Sequence, residues 1–332
     1  MSRGALNKVA VLNGPGTFAL IHSPLAEIPA GYVRVKLSHC GVCGTDRSFY
    51  LGHRDEGYPV SLGHEHCGVI DALGEGVTGF APGRPVVIDP NFRCGACYFC
   101  LRKLGHLCIN GTEQRYSNRG YAGYIDIHYS YVHPLPHYGR THMGALVEPL
   151  SVALHALAVG ALQDRYGETL VLGCGGLGSL LIFAILETTA IDLYIHDHND
   201  YKVDHLRSLY PDRIRRLGGR NDFNLVFEAT GSSTGFALAC GLLGKCARLV
   251  VLSRYHSDEP LIPERLPWKQ PEIRFCHLNG DAIHMTEAAA LLKEKWTLQH
   301  DHLLSFHALD EIDQVFKNYG AIKSNKKIII QQ

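Results

Sequence analysis

The sequence lacks an excess of charge of either sign, because 32 basic residues balance 32 acidic residues in a chain of 332. Proteins that bind nucleic acid or anionic membrane surfaces through a broad electrostatic field carry a clear positive excess. We therefore expect neither nucleic acid nor a membrane as a partner. We expect instead a small-molecule substrate that a local site recognises.

The sequence also lacks the segments that direct a chain to export or into a membrane. Its first residues, MSRGALNKVAVLNGPG, contain no apolar core followed by a small-residue cleavage site, so a cytoplasmic location is expected. The uncharged run LVLGCGGLGSLLIFAIL, residues 170–186, is short for a bilayer span and holds four glycines. A strand, a tight turn and a buried helix explain this run better.

A disulfide framework is not indicated either. The eleven cysteines are odd in number, and most lie at short spacings beside glycine, histidine or another cysteine. This clustering favours metal-bound thiolates in a reducing compartment over paired cystines.

The secondary-structure pattern of the sequence changes near residue 151. Residues 1–150 hold short strands, such as GYVRVKLSH and RPVVID, between glycine and proline turns. From residue 151, apolar runs alternate with helical stretches, as in ETLVLG, LGSLLIFAILE and IDLYIHD, which is typical of βαβ units and a parallel sheet. The tail holds two amphipathic helical stretches, MTEAAALLKEKW and LDEIDQVFKNY, and the closing strand KKIII. We predict an α/β fold.

The strongest single motif is CGACYFCLRKLGHLC, which spaces four cysteines as C-x2-C-x2-C-x7-C. Four thiolates wrapped around one ion make a closed tetrahedral site with no position for a substrate, so we predict a structural zinc. An iron–sulfur cluster and free buried thiols are the alternatives. The predicted ligands are Cys94, Cys97, Cys100 and Cys108.

The second motif, VLGCGGLGSL, is a glycine-rich turn between a predicted strand and an apolar helix. Such glycines let a helix N-terminus approach a pyrophosphate, although a glycine-rich packing turn is the alternative. Asp197 ends the next predicted strand, nineteen residues after Gly178, where a carboxylate favours NAD over NADP. The flanking His196 and His198 weaken that preference. The predicted cofactor residues are Gly173, Gly175, Gly176, Leu177, Gly178, Asp197 and Thr230.

A third segment, SLGHEHCGVI, places residues of metal-binding types at the four consecutive positions 64–67. Successive side chains of an extended segment point to opposite faces, so we expect only alternate members to meet one ion. The remaining ligands must come from elsewhere in the chain.

These motifs, together with HCGVCGTD at 39–46 and VEPLSVALHA at 147–156, resemble the zinc-dependent medium-chain dehydrogenase/reductase family of alcohol, sorbitol and threonine dehydrogenases. The resemblance covers essentially the whole chain. It implies a chaperonin-10-like (GroES-like) β domain at 1–150 with a structural-zinc lobe at 93–109. It also implies a Rossmann doubly wound domain at 151–279 and a segment at 280–332 that completes the first domain. A homodimer or homotetramer is implied as well.

The resemblance also assigns a catalytic zinc site. Cys43 and His64 match the family's first two ligands, and Glu65 matches an acidic neighbour that reaches the metal in some members. Glu148 lies where sorbitol- and threonine-dehydrogenase-like members have glutamate and classical alcohol dehydrogenases have cysteine. The set leaves one position open for water or substrate.

Thr45 matches the hydroxyl that takes the substrate proton toward solvent. Many relatives continue the relay with a histidine where this chain has Ser48, so His53 or a water chain through the cofactor ribose become candidates for the final acceptor.

The resemblance implies an NAD-dependent dehydrogenase that interconverts a secondary alcohol and its ketone. Glu148 favours a polyol, sugar, cyclitol or amino alcohol, and Arg47, His53 and Arg54 are candidate substrate residues. Two alternatives remain: a pentulose-phosphate reductase-like enzyme that uses NADPH, with Arg47 or Arg54 on the phosphate, and a non-catalytic protein that binds NAD and zinc.

Overall fold

The computed structural model describes residues 6–54, 57–111, 119–136, 139–161, 167–255, 266–276, 278–280 and 282–331. Its strands are β1 (Leu6–Gly14), β2 (Thr17–Pro24), β3 (Tyr32–Gly41), β4 (Glu65–Leu73), β5 (Pro85–Ile88), β6 (Tyr124–His128), β7 (Val132–Pro134), β8 (Thr169–Leu172), β9 (Leu193–His196), β10 (Ile214–Arg216), β11 (Phe223–Glu228), β12 (Leu243–Val251), β13 (Glu272–Phe275), β14 (Leu304–Ala308) and β15 (Lys326–Ile330). Its α-helices are α1 (Gly44–Tyr50), α2 (Val147–Gly160), α3 (Gly176–Thr188), α4 (Asp200–Leu209), α5 (Ser233–Leu242), α6 (Ile283–Lys295) and α7 (Ile312–Lys317).

Strands from the first half of the chain and from the tail form a mostly antiparallel sheet with the order β14-β15-β3-β4-β5-β7, and β6 also pairs with β3. The hairpin of β1 and β2 lies against it, linked by the bridge between Val9 and Ala122. The tail supplies β14 and β15, and Ile328 of β15 pairs with Gly41 of β3. The sheet is therefore built from both ends of the chain, although the exact domain boundaries remain a prediction.

The second half forms a six-stranded sheet with the order β10-β9-β8-β11-β12-β13, in which all neighbours are parallel. Every residue of β8 is buried, as expected for a central strand covered by helices on both faces. In α3, all residues from Gly178 to Leu186 are buried, so the uncharged run is a strand, a turn and a core helix as predicted. The predicted α/β fold class is confirmed.

The largest hydrophobic cluster joins α2 and α3 to α6, so this part of the tail packs beside the second sheet. Phe183 of α3 and Trp296 meet with their ring centroids 5.1 Å apart. Among the described residues, the helical stretch Thr141–Gly160 is long and apolar enough to cross a membrane, but 67% of its apolar segment is buried inside the fold. That burial is what a core helix shows.

Candidate active site and metal centres

The catalytic cluster predicted by the resemblance is present in part. Ligand atoms of Cys43, His64 and Glu65 all lie within 4.8 Å of one another. Cys43 is the N-cap of α1, and its thiol accepts the Thr45 backbone N–H at 3.5 Å. Glu65 begins β4 whereas His64 precedes the strand. The expectation that only alternate members converge is therefore wrong here, because strand alternation does not extend to His64. His66, the next alternate position after His64, is fully buried inside β4.

The buried Asp46 carboxylate contacts two members of the cluster, Cys43 and His64. The carboxylate, 1% exposed, accepts the Tyr121 hydroxyl at 2.7 Å and the Cys43 backbone N–H at 3.2 Å, and it lies 3.4 Å from Nδ1 of His64. Burial opposes the charged form, but His64 and these donors outweigh it, so the pKa of Asp46 is lowered. A carboxylate on Nδ1 orients the ring and leaves Nε2 available to an ion. Sequence analysis missed Asp46, although the HCGVCGTD motif contains it.

Lys326 is the second residue that sequence analysis missed. Its Nζ pairs with the Glu65 carboxylate and donates to the Val42 carbonyl oxygen at 3.2 Å, and both charged side chains are almost fully buried. Burial opposes the charge, but Glu65 outweighs it, so the pKa of Lys326 is raised. The lysine neutralises a carboxylate that would otherwise be buried without a counter-charge. Only the unusual KK pair in a closing strand signals it.

Glu148 lies in the first turn of α2 and is 5% exposed. Burial raises the pKa of Glu148 to about 8, although the neighbouring His64 acts in the opposite direction. Glu148 lies outside the 4.8 Å cluster of Cys43, His64 and Glu65, but it lines the same cleft as His64. Its part as a metal ligand stays a prediction.

The open cleft beside the cluster encloses about 580 Å³ of space, which includes the solvent at its mouth. Thr45 and His64 line it from the side of the first sheet, Glu148 lines it from α2, and Arg254, which follows β12, lines it from the second sheet. A concave site at the junction of two layers is a usual place for a small-molecule substrate.

The four-cysteine lobe forms a separate cluster. The sulfur atoms of Cys94, Cys97, Cys100 and Cys108 lie within 4.8 Å of one another. Backbone N–H groups of Ala96 and Cys97 lower the pKa of the Cys94 thiol to about 6, which favours the thiolate that a metal requires. This donor set fits a closed tetrahedral zinc site.

The glycine loop joins β8 to α3. Gly173 has φ +95°, and a Cβ there would lie 2.7 Å from the Ala229 backbone, so this turn requires glycine. A Cβ on Gly178 would overlap the Gly173 carbonyl oxygen, which explains the close approach of strand and helix. By contrast, Gly175, the N-cap of α3, faces open space where a pyrophosphate can approach the helix N-terminus. The loop geometry fits a dinucleotide.

The two remaining cofactor predictions lie at the carboxyl ends of strands. Asp197 follows β9 and its side chain is 6% exposed. Its carboxylate accepts the backbone N–H of Cys174 at 2.7 Å and of Asn199 at 2.8 Å. Thr230 follows β11, where its backbone N–H donates to the buried Glu228 at 2.7 Å. Both lie at the edge of the parallel sheet where dinucleotides bind.

Known proteins share this organisation. The profile of the alcohol dehydrogenase GroES-like domain matches residues 29–137. The 2-dehydro-3-deoxy-L-galactonate 5-dehydrogenase of Pseudoalteromonas atlantica is 28% identical, covering 96% of each chain. The chain belongs to the zinc-dependent medium-chain dehydrogenase/reductase family.

Solved structures of low identity share the dehydrogenase fold. A candidate zinc-binding dehydrogenase of Sinorhizobium meliloti 1021, bound to NADP, has a TM-score of 0.87 at 22% identity, covering 98% of this chain and 99% of the other. An alcohol dehydrogenase of Escherichia coli CFT073, complexed with NADH, has a TM-score of 0.84 at 21% identity, covering 98% and 100%. The present chain is an oxidoreductase of the alcohol or polyol dehydrogenase kind.

Among the residues predicted for the proton relay and the substrate, Ser48, Arg47 and His53 do not line the cleft. The Ser48 hydroxyl donates to the Gly44 carbonyl oxygen at 3.1 Å within α1. The Arg47 guanidinium lies 5.3 Å from the Tyr319 ring centroid, and His53 is exposed. Of the predicted substrate residues, only Arg54 lines the cleft. The relay beyond Thr45 therefore stays a prediction.

Proposed function

We propose that this dehydrogenase interconverts a secondary alcohol and its ketone by hydride transfer with NAD. The observation that carries the proposal is the cleft, where Thr45, His64 and Glu148 face one cavity beside the Cys43 thiol. A zinc ion bound there would supply Lewis acidity to the substrate oxygen.

The residues around the cleft have distinct parts in this proposal. Cys43, His64 and Glu148 would hold the ion, and Glu65, paired with Lys326, is the adjacent carboxylate that can reach it. Because these ligands include one thiolate and one imidazole, the set suits zinc and leaves a position open. The buried Asp46 orients the His64 ring.

The Thr45 hydroxyl is the proposed proton-transfer group. The side chain of Thr45 lines the cleft, and its backbone N–H is held by the Cys43 thiol, so its hydroxyl lies at the start of α1 beside the cluster. We assign this hydroxyl the transfer of the substrate proton away from the cluster during alcohol oxidation, and its return during ketone reduction. The acceptor beyond it is a water chain or His53.

The proposed substrate class is hydroxyl-rich. Relatives of this chain are named for sorbitol, D-altritol and galactitol 1-phosphate. Glu148 in place of cysteine supports the same class, since glutamate occurs at this position in sorbitol dehydrogenase-like members. We propose a polyol, cyclitol, sugar or amino alcohol.

We propose NAD rather than NADP as the cofactor. Asp197 is held by two backbone N–H groups at the carboxyl end of β9, the strand end at which this proposal puts the adenosine ribose. The negative charge of Asp197 would repel a 2′-phosphate. Neighbours of the same fold hold either cofactor, so the fold alone does not decide.

We propose two zinc ions per chain, and metal analysis tests both sites. Cys43→Ala should lose one ion together with activity, whereas Cys97→Ala should lose the other and fold poorly. Cys246→Ala, at an exposed cysteine outside both clusters, is the matched control and should retain two. Equal metal content in wild type and Cys43→Ala would contradict the catalytic assignment.

Turnover tests the function itself. Nicotinamide absorbance is followed with the zinc-loaded enzyme, NAD or NADP, and polyols, cyclitols, amino alcohols and sugars. Oxidation of one class with NAD supports the proposal. If no class is oxidised while zinc and NAD still bind, the result would favour the non-catalytic alternative. Light scattering on the same sample tests the proposed homodimer or homotetramer.

A further inference from the structure

Two arginines line the cleft, one from each half of the chain. Arg54 follows α1, which lies between strands β3 and β4 of the first sheet in the chain, and Arg254 follows β12 of the second sheet. Both line the cavity that His64 and Glu148 also line. Since His64 marks the reacting end, the arginines can contact a different part of the same substrate molecule.

Neighbouring groups hold Arg54 in place. Its guanidinium carbon lies 4.8 Å from the ring centroid of Phe49, which is 1% exposed. The Tyr58 hydroxyl donates to the Phe49 carbonyl oxygen at 2.7 Å and approaches the Arg54 carbonyl oxygen at 3.1 Å. A guanidinium stacked on a buried ring loses less side-chain freedom when it binds a ligand.

The carboxylates of the cleft do not neutralise Arg254. Across the described parts of the chain, no carboxylate forms an ion pair with Arg254. Asp46, which also lines the cleft, is engaged by the Tyr121 hydroxyl at 2.7 Å and by Gly63 N–H at 3.4 Å. Arg254 therefore brings a positive charge to the lining of the cleft.

Asn91 adds a buried acceptor to the same cleft. It is 1% exposed, and its Nδ2 donates to Oδ1 of Asn279 at 2.8 Å. Arg93 donates to that same Asn279 oxygen at 3.0 Å, which fixes the orientation of both amides. Among the described residues, Oδ1 of Asn91 has no hydrogen-bond partner. A buried acceptor without a partner is costly, and a substrate hydroxyl would satisfy it.

We propose that the cleft takes a polyol or hydroxyketone that carries an anionic group, a phosphate or a carboxylate. Arg54 and Arg254 hold the anion, and Asn91 accepts a substrate hydroxyl. Guanidinium groups bind both kinds of anion through paired charge-assisted hydrogen bonds. This inference rests on the proposed function and specifies its substrate class.

Matched compounds test the inference by calorimetry on the zinc-loaded enzyme with NAD, which requires no turnover. The probes are sorbitol, sorbitol 6-phosphate and gluconate, with the corresponding galactitol series. The anionic members should bind at least about 10-fold more tightly than the neutral polyol. Arg54→Gln and Arg254→Gln should each weaken anion binding by about 10- to 100-fold and leave polyol binding nearly unchanged.

Two further variants control the result. Arg215 lies on the edge strand β10, where its exposed guanidinium pairs with Asp192. The Arg215→Gln variant should therefore bind the anionic probes as the wild type does. Asn91→Ala should weaken neutral and anionic probes by the same factor, because both carry the hydroxyl. Tighter binding of sorbitol 6-phosphate alone identifies a phosphate site, and tighter binding of gluconate alone identifies a carboxylate site.

The outcomes separate this inference from the proposed function. Equal binding of neutral and anionic probes, or arginine variants that bind anions as the wild type does, would overturn the inference while polyol oxidation could still support the function. Tight arginine-dependent binding without turnover of any probe would retain the anion site and count against the function.

Discussion

Replacement of Asp301 by asparagine should destabilise the fold in a way that depends on pH. One carboxylate oxygen accepts the Trp296 indole N–H at 2.7 Å and lies 3.1 Å from Nε2 of His142. The other accepts the Arg140 guanidinium at 2.9 Å. Arg140 and His142 precede α2, whose first turn carries Glu148, so this carboxylate anchors the segment that leads into the active site.

The magnitude follows from the pKa. Burial raises the pKa of Asp301, but His142, Trp296 and Arg140 outweigh it and lower the value from 3.8 to about 2. By linkage, that difference corresponds to about 2.5 kcal/mol of unfolding free energy at neutral pH. The side chain is 20% exposed, so solvent screening removes only a small part. Because the folded-state pKa is depressed, the stabilisation is full above the unfolded value and is lost as pH falls through about 2.

Urea denaturation of the zinc-free protein at pH 7 and pH 3 measures this contribution, because thiolate and imidazole ligands release zinc at pH 3. Asp301→Asn should lower the unfolding free energy by about 2 kcal/mol at pH 7 and by about half as much at pH 3. The matched control is Asp310→Asn, at a residue 61% exposed that pairs with Lys8, and it should differ little from wild type. If both variants behave alike at pH 7, or if the Asp301→Asn effect does not shrink at pH 3, the reasoning is refuted.

Three other substitutions give distinct expectations. Gly178→Ala should weaken NAD binding at least about 10-fold, as measured by fluorescence titration, because the new methyl overlaps the Gly173 carbonyl oxygen and displaces the loop. Asp197→Ser should reduce the preference for NAD over NADP in kcat/KM, and unchanged selectivity would remove Asp197 from the cofactor site. Lys326→Met should cost about 3–5 kcal/mol of stability, because Glu65 keeps a buried charge without its partner, whereas Lys326→Met with Glu65→Gln should recover much of the loss.

Local patterns predicted the elements of this fold well. The uncharged run became β8 and α3, and the alternating runs after residue 151 became the parallel sheet, because strand and helix periodicities are short-range properties of a sequence. The four cysteines of the lobe were also predictable, since their spacing alone brings the sulfur atoms together. The short helix α1 was not predicted, because a cap between Cys43 and Asp46 rather than periodicity defines it.

Long-range contacts explain what the sequence did not reveal. Lys326 reaches Glu65 only because β15 pairs with β3 across almost the entire chain, and no local pattern encodes that register. Arg254 likewise has no motif around it, and it reaches the cleft because β12 ends at the edge where the two layers meet. Arg47 and Arg54 are seven residues apart and looked equivalent in the sequence. The path of the chain after α1 brings only Arg54 to the cavity.

The four-cysteine lobe holds no position for a substrate, yet the structure connects it to the cleft. Arg93, the residue before Cys94, donates to Asp89 at 2.5 Å and to Asn279 at 3.0 Å. Asn279 in turn accepts from Asn91, which lines the cleft. Asp89, Asn91 and Asn279 are all buried, so water cannot replace their hydrogen bonds if the lobe shifts. The lobe therefore fixes one wall of the cleft, and the zinc ion proposed for it would contribute to the geometry of that wall without touching a substrate.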